Sequence, residues 1–332
     1  MQHSVLLPSC PCITYLIALI LIIICTCRGI SGATFTLING CEFTIWPGIL
    51  ANAGSSPLES TGFELGPGAS LVLHSPVSWS GRIWGRTGCY FDPATGQGSC
   101  RTGDCGSGHV ECDGAAAQPP ATLAEFTVGS ASGTGQDFYD VSLVDGYNLP
   151  LVVEASGSSG SCLPTGCIAD LNRGCPAELR YGSDDGCRSA CEAFGSPEYC
   201  CSGAYASPGT CKPSVYSQMF KAACPRSYSY AFDDATSTFT CTAADYTIAF
   251  CPSLSASQKS ATPNGSSSTG TMTPTGSGAS GSNYMQSPSG GSYPAMYPWS
   301  SGFVTGDAPA RRDLTLLFVC IFYVIFITFL VV

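Results

Sequence analysis

The chain has 332 residues, 21 cysteines and a formal net charge of −10, and 11% of its side chains are charged. Between residues 34 and 251 it carries 21 Asp and Glu against 9 Lys and Arg. That balance excludes nucleic acid and anionic lipid surfaces as partners, since its field repels polyanions, and leaves neutral or cationic ligands.

The first element is an apolar run, ITYLIALILIIIC, at residues 13–25. It is short for a bilayer span. Arg28 and small residues follow, with Ser31 and Ala33 at the −3 and −1 positions of a signal-peptidase site. Residues 1–33 therefore read as a signal peptide, with the mature chain starting at Thr34; an uncleaved signal anchor is the alternative.

Secretion decides what cysteine means. Cys10, Cys12, Cys25 and Cys27 fall in the leader and Cys320 falls near the far end, which leaves 16 between Cys41 and Cys251. An even number in an oxidising compartment predicts a disulfide framework, with about two million possible pairings. No metal is expected: the histidines are His3, His74 and His109, and no two CxxC motifs stand at zinc-ribbon spacing. No cofactor motif, phosphate loop or nucleophile–His–acid arrangement is present, so no cofactor is expected.

ATFTLING alternates up to Cys41, and CEFTIWPG follows. SLVLHSP, GRIWGRT, TLAEFTVG, DFYDVSLVDG, LPLVVEA, STFTCTAAD and YTIAFC are short, rich in β-branched and aromatic residues, and bounded by Gly, Pro, Asp or Asn. Such spacing predicts a mainly β sandwich or barrel. Two stretches differ. GQGSCRTGDCGSGHVEC, residues 96–112, holds three cysteines and five glycines without periodicity, and reads as loops stapled by sulfur. In residues 177–201, GCRSACEAF predicts about two helical turns with Ala190 and Phe194 on one side, among cysteines.

Residues 253–301 are dominated by Ser, Gly, Thr and Pro, with Lys259 the one charge. They hold too little apolar surface to offset ordering entropy and predict a flexible stalk, with Asn264 in a glycosylation sequon. The run LTLLFVCIFYVIFITFLVV, residues 314–332, is long enough to span a bilayer. Arg311 and Arg312 would lie on its lumenal side, which disfavours a permanent span. Small residues upstream instead match a GPI-anchor signal over 302–332, attached at Ser300 or Ser301; Thr305-Gly306-Asp307 also qualifies, and a transmembrane tail is the alternative. The expected location is the extracellular face of the plasma membrane or the cell wall.

Gly96, Gly98, Cys100, Thr102, Gly103, Asp104, Cys105 and Cys112 match the G-x-G-x-C-x-T-G-D-C motif and the cysteine beyond it. With QPPATLAEF, DFYDVSLVDGYNLP, CPAELR, YCC, STFTC and FCP, residues 34–252 resemble the thaumatin-like (osmotin-like, pathogenesis-related) family. The stalk and tail resemble a membrane-anchored plant subgroup. The resemblance implies eight disulfides: Cys41–Cys251, Cys89–Cys100, Cys105–Cys112, Cys162–Cys241, Cys167–Cys224, Cys175–Cys187, Cys191–Cys200 and Cys201–Cys211. It implies a flattened β-sandwich, a disulfide-rich subdomain with a short helix at about 169–224, and a small looped subdomain at about 87–124. Between the first two it implies an acidic cleft that binds β-1,3-glucan, formed by Arg82, Glu125, Asp140, Asp145 and Asp233; a monomer is expected, and a weak endo-β-1,3-glucanase or a non-catalytic interaction or membrane-perturbing module are the alternative functions. Arg226 stands where the family often has Asp, which would weaken such a patch.

Hydrolysis needs two carboxyls about 5–9.5 Å apart. Asp140 and Asp145, if on one straight strand, would lie roughly 16 Å apart on opposite faces. They can meet only if the chain bends at Val144-Asp145-Gly146, so Glu125 with Asp145 is the candidate catalytic pair, or Glu125 with Asp140. The structural alternatives are a turn role for Asp145 and for Asp104, and a salt bridge for Arg82. Tyr139, Tyr147 and Phe91 are possible sugar-stacking rings, with a core or rim position the commoner alternative for each.

Overall fold

In a computed structural model, the structure describes residues 31–129, 135–157, 160, 162–242 and 244–252. Most of the expected leader, the stalk, Asn264, Ser300, Ser301 and the apolar tail lie outside the described residues.

Two five-stranded sheets form the body. The first has the order β3 (Ser70–Pro76), β1 (Ser31–Asn39), β14 (Asp245–Phe250), β9 (Leu151–Ser156), β10 (Thr165–Cys167). The second runs β2 (Trp46–Ala51), β4 (Ser80–Arg86), β7 (Leu123–Thr127), β8 (Gln136–Ser142), β13 (Phe239–Thr242). Alternation explains the packing. Along β1, Ala33, Phe35, Leu37 and Asn39 are buried and the residues between them are not, as a strand with one face on a core requires. Phe35, Phe126, Tyr139 and Tyr246 meet across the sandwich with ring centroids 4.8–5.7 Å apart, three pairs edge to face and Phe35–Tyr246 stacked. Ala33 is 4% exposed within this core, so the strand begins inside the stretch that the sequence assigns to the leader.

β1 and β14 come from opposite ends of the domain and pair in parallel. The Cys41–Cys251 disulfide locks that junction just beyond the strands. Seven more bridges join Cys89–Cys100, Cys105–Cys112, Cys162–Cys241, Cys167–Cys224, Cys175–Cys187, Cys191–Cys200 and Cys201–Cys211. The glycine-rich segment at 96–112 thus contributes to two local staples, beside a two-residue hairpin of β5 (Tyr90–Phe91) and β6 (Gly98–Ser99). One buried cation ties this looped part to the sandwich. Arg86 is fully buried, and it donates to the carbonyls of Trp46, Pro47 and Val110. Burial brings its pKa down to about 10.

The second subdomain has a core half made of sulfur: Leu143, Tyr147, Leu171, Leu179 and Phe220 pack with Cys167, Cys175, Cys187 and Cys224. It includes the hairpin of β11 (Arg180–Tyr181) and β12 (Gly186–Cys187). The predicted helix is shorter than two turns, because Gly186 and Cys187 belong to β12. Helix α1 (Ala190–Phe194) starts at Ser189, whose hydroxyl accepts from the Glu192 amide, and stops at Gly195 with φ 64°. Helices α2 (Pro197–Cys200) and α3 (Val215–Ala223) follow, and α4 (Asp234–Ser237) precedes β13. Helix α3 was not expected from the sequence. It is nine residues long and capped by Ser214, with Tyr216, Met219 and Phe220 turned to the subdomain core.

Candidate functional site

Strand register builds the site. Arg82 on β4 stands opposite Glu125 on β7, and Glu125 stands opposite Asp140 on β8. Their strand neighbours Ile83, Ala124, Phe126, Tyr139 and Val141 belong to the sandwich core. The three charged side chains therefore point away from that core as one row, at the close spacing of directly opposed residues. Arg82 Nε lies 3.6 Å from Glu125 Oε1, both side chains being about a quarter exposed or less. This is an ion pair without a hydrogen bond: Arg82 Nε and Asp140 Oδ1 are buried and unpartnered.

Asp145 reaches the row because the chain bends. Strand β8 ends at Ser142, the Gly146 amide donates to the Leu143 carbonyl, and Gly146 adopts φ 84°. Only glycine suits that turn: a Cβ at Gly146 would stand 2.8 Å from the Cys187 oxygen and 2.9 Å from Pro120 Cβ. The bend removes the straight-strand separation of Asp140 and Asp145, and Asp145 lies near enough to act on Glu125 and to feel Arg82.

Electrostatics follows from one cation among several acids. Burial holds the Glu125 and Asp145 carboxyls above their ordinary values, against the pull of Arg82. Burial, then Glu125 and Asp234, raise Asp140 well above its ordinary value. All three carboxyls are thus shifted toward holding a proton, and each is able to hydrogen-bond a hydroxyl.

Asp233 stands apart from the other four. It is committed to Lys221 at 2.9 Å and accepts from the amide and hydroxyl of Ser229, each at 3.0 Å. Its neighbour Asp234 is the one that influences Asp140, and it accepts from the Tyr228 hydroxyl at 2.9 Å. The sequence reads two adjacent aspartates; the start of α4 decides which faces the row. Arg226 sits 4.7 Å over the Phe239 ring, near the inward-facing Tyr139. Asp104 accepts from the amides of Cys100 and Gly106, as a turn former does. Two of the three possible stacking rings are buried, and the third, Phe91, is partly exposed in the looped part. Tyr139 and Tyr147 are 1% and 0% exposed, and Phe91 packs beside Trp46. Among the described residues, no group of His, Cys, Asp and Glu is arranged to hold a metal ion.

Comparison with known proteins agrees with this architecture. The thaumatin family model matches residues 39–252. "Thaumatin-like protein 1" of Arabidopsis thaliana is 70% identical over 68% of this chain and 88% of its own length. "Pathogenesis-related thaumatin-like protein 3.5" of Cryptomeria japonica is 57% identical over 69% and 93% of the two chains. "PR5-like receptor kinase" of Arabidopsis thaliana is 47% identical over 71% of this chain and 37% of its own length. With its sandwich, its eight bridges and a matching core of more than 200 residues, the chain belongs to the thaumatin family, alongside these thaumatin-like, pathogenesis-related proteins.

Proposed function

We propose that the chain is a cell-surface, defence-type protein that binds β-1,3-glucan, or a related neutral wall polysaccharide, in an acidic cleft. The observation that carries this reading is the row Arg82–Glu125–Asp140, joined by Asp145, pointing off the second sheet with unpartnered buried polar atoms. An unpaired buried polar atom is costly. Sugar hydroxyls donate and accept, so they satisfy a carboxylate and a guanidinium without adding charge.

Binding without rapid cleavage is the first reading. A slow endo-β-1,3-glucanase is the second, favoured by one feature: burial shifts the Glu125 carboxyl upward, the direction a general acid requires, beside Asp145 as the second carboxyl. Laminarin pull-down and reducing-end release test both. Wild type is expected to be retained on laminarin and to release few reducing ends. Release that is clear in wild type and lost in Glu125→Gln would establish the enzymatic reading. No retention would remove glucan as the ligand.

The eight bridges support an oxidising route of synthesis. The leader, the stalk glycan at Asn264 and the lipid anchor at Ser300 or Ser301 complete the proposed cell-surface placement. Phosphatidylinositol-specific phospholipase is expected to release the protein from membranes. Retention after cleavage of control anchors would indicate a transmembrane tail instead.

A further inference from the structure

Of the edges of the two large sheets, three are closed. Beyond β2, Ile45 and Leu65 exchange backbone hydrogen bonds, and the Phe63 amide donates to the Pro47 carbonyl. Against β13, the Cys162 amide donates to the Thr240 carbonyl. Strand β10 is three residues long and wholly buried, and its Thr165 hydroxyl donates to the Arg226 carbonyl. The fourth edge is open. Strand β3 is seven residues long and pairs with β1 on one side, and among the described residues no further backbone bond reaches Ser70–Pro76.

An open edge is a template for another strand unless charge, proline, a bulge or a cover blunts it. Here Pro76 and the irregularity between Ser31 and Thr34 guard one end only. The stretch SLVLH, residues 70–74, holds no Lys, Arg, Asp or Glu. Val72 is 47% exposed. Leu71 is 37% exposed, although it shares a side with the buried Leu73 and stands opposite the buried Leu37. The outward face beside the strand is uncharged as well. Val72 leads across the sheet to Thr36 and Thr247, and the first acids on that face, Asp245 and Glu154, belong to β14 and β9.

The strand is complementary to itself. Antiparallel pairing about a two-fold axis through Val72 sets Val72 against the partner's Val72, Leu71 against the partner's Leu73, and Ser70 against the partner's His74. No Lys, Arg, Asp or Glu meets its like, and parity is kept, so the inner faces continue on one side and the outer faces on the other. We infer that β3 is a strand-pairing surface whose occupant is β3 of a second copy of this chain, joining two five-stranded sheets into one. The contact is small, so the dimer is weak and reversible. The net charge of −10 on each copy opposes it, and salt screens that repulsion. The monomer expected from the sequence is then one member of an equilibrium.

Oxidative cross-linking of the full chain, made by secretory expression, tests the pairing. Directly opposed Cα atoms on antiparallel strands lie about 4.5–5.5 Å apart, within disulfide reach. Val72→Cys is therefore expected to give a reducible band at twice the monomer mass, growing at least about twofold between about 10 mM and about 150 mM salt. Thr247→Cys lies on the same outward face but on β14. At a strand spacing of about 4.8 Å it would stand about 24 Å from its counterpart, and it is expected to give no such band. In equilibrium sedimentation Val72→Lys, which sets lysine against lysine, is expected to raise the dimer midpoint concentration at least about fivefold. Val72 faces solvent, so the fold tolerates either change. Equal bands from the two cysteine variants would mean random collision. A Val72→Cys band of another mass would mean a different partner, and no band would mean an edge that stays single. Each of these results, or an unchanged midpoint in Val72→Lys, overturns the proposal.

Discussion

Asp140→Asn is expected to make the protein more stable at neutral pH and at least about tenfold weaker in glucan binding. The two effects share one cause. Asp140 is pressed by burial, by Glu125 and by Asp234, and Arg82 relieves only part of that. Its folded pKa therefore lies above its unfolded value. Its contribution to stability is complete below the unfolded pKa of about 4 and is lost as pH rises through the raised folded value, because the folded state holds the proton longer. Glu125 and Asp145 shift the same way, again through burial. These three groups should thus cost stability as pH climbs from about 4 toward neutrality, against the opposite slope of Glu111, where burial is outweighed by bonds to Thr61 and Ser60 that lower the pKa. Asparagine removes the buried charge and flattens that slope. The gain at pH 7 is on the order of 1 kcal/mol, read as a rise in melting temperature of about 2–4 °C in a domain of this size. Binding falls because an acceptor of the row is replaced by an amide that donates on one side. Melting curves at pH 4 and pH 7, with laminarin titrations, decide the matter. A variant that melts lower than wild type at pH 7 would show Asp140 to be a structural anchor instead.

Removing the Cys41–Cys251 bridge is expected to have the largest effect on stability. The bridge closes a loop with a sequence separation of 210 residues. In the chain-entropy model a loop of that length is worth about 5 kcal/mol, nearly all of it through the unfolded chain. The native junction would keep its other contacts: the parallel β1–β14 ladder and the Gly40 amide on the Phe250 carbonyl. The double variant Cys41→Ser/Cys251→Ser should therefore fold with the same ligand affinity but unfold at a much lower denaturant midpoint. Removal of Cys105–Cys112, with a separation of 7, should cost about half as much. Equal losses from the two bridges would mean that local native packing, rather than loop closure, sets their value.

How much of this was legible beforehand differs from residue to residue. Strand parity is a local property. The alternation in DFYD places Asp137 and Asp140 on opposite faces, and they are found so: Asp137 is buried and accepts from the Tyr246 hydroxyl, while Asp140 joins the outward row. Arg82 and Glu125 likewise lie where an alternating pattern puts a polar side chain. Arg86 was not anticipated, since nothing in RIWGRT distinguishes an exposed arginine from one that caps three carbonyls. Helix α3 was missed although Tyr216, Met219, Phe220 and Ala223 recur at helical spacing. Tyr139 and Tyr147 took the core alternative rather than the stacking one, and for Tyr139 parity already points inward, since it neighbours the outward Asp140.

Composition, cysteine number and alternation by themselves pointed to a cross-linked, mainly β domain with an excess of acid. Those properties depend on each residue and its near neighbours. Tertiary structure alone decided which acids meet. Pairing β4, β7 and β8 in one register put Arg82, Glu125 and Asp140 in line, and the bend at Gly146 brought in Asp145. The start of α4 chose Asp234 over Asp233. A slip of one residue between strands would turn the row inward, and what prevents it is packing and sulfur contributed from far along the chain.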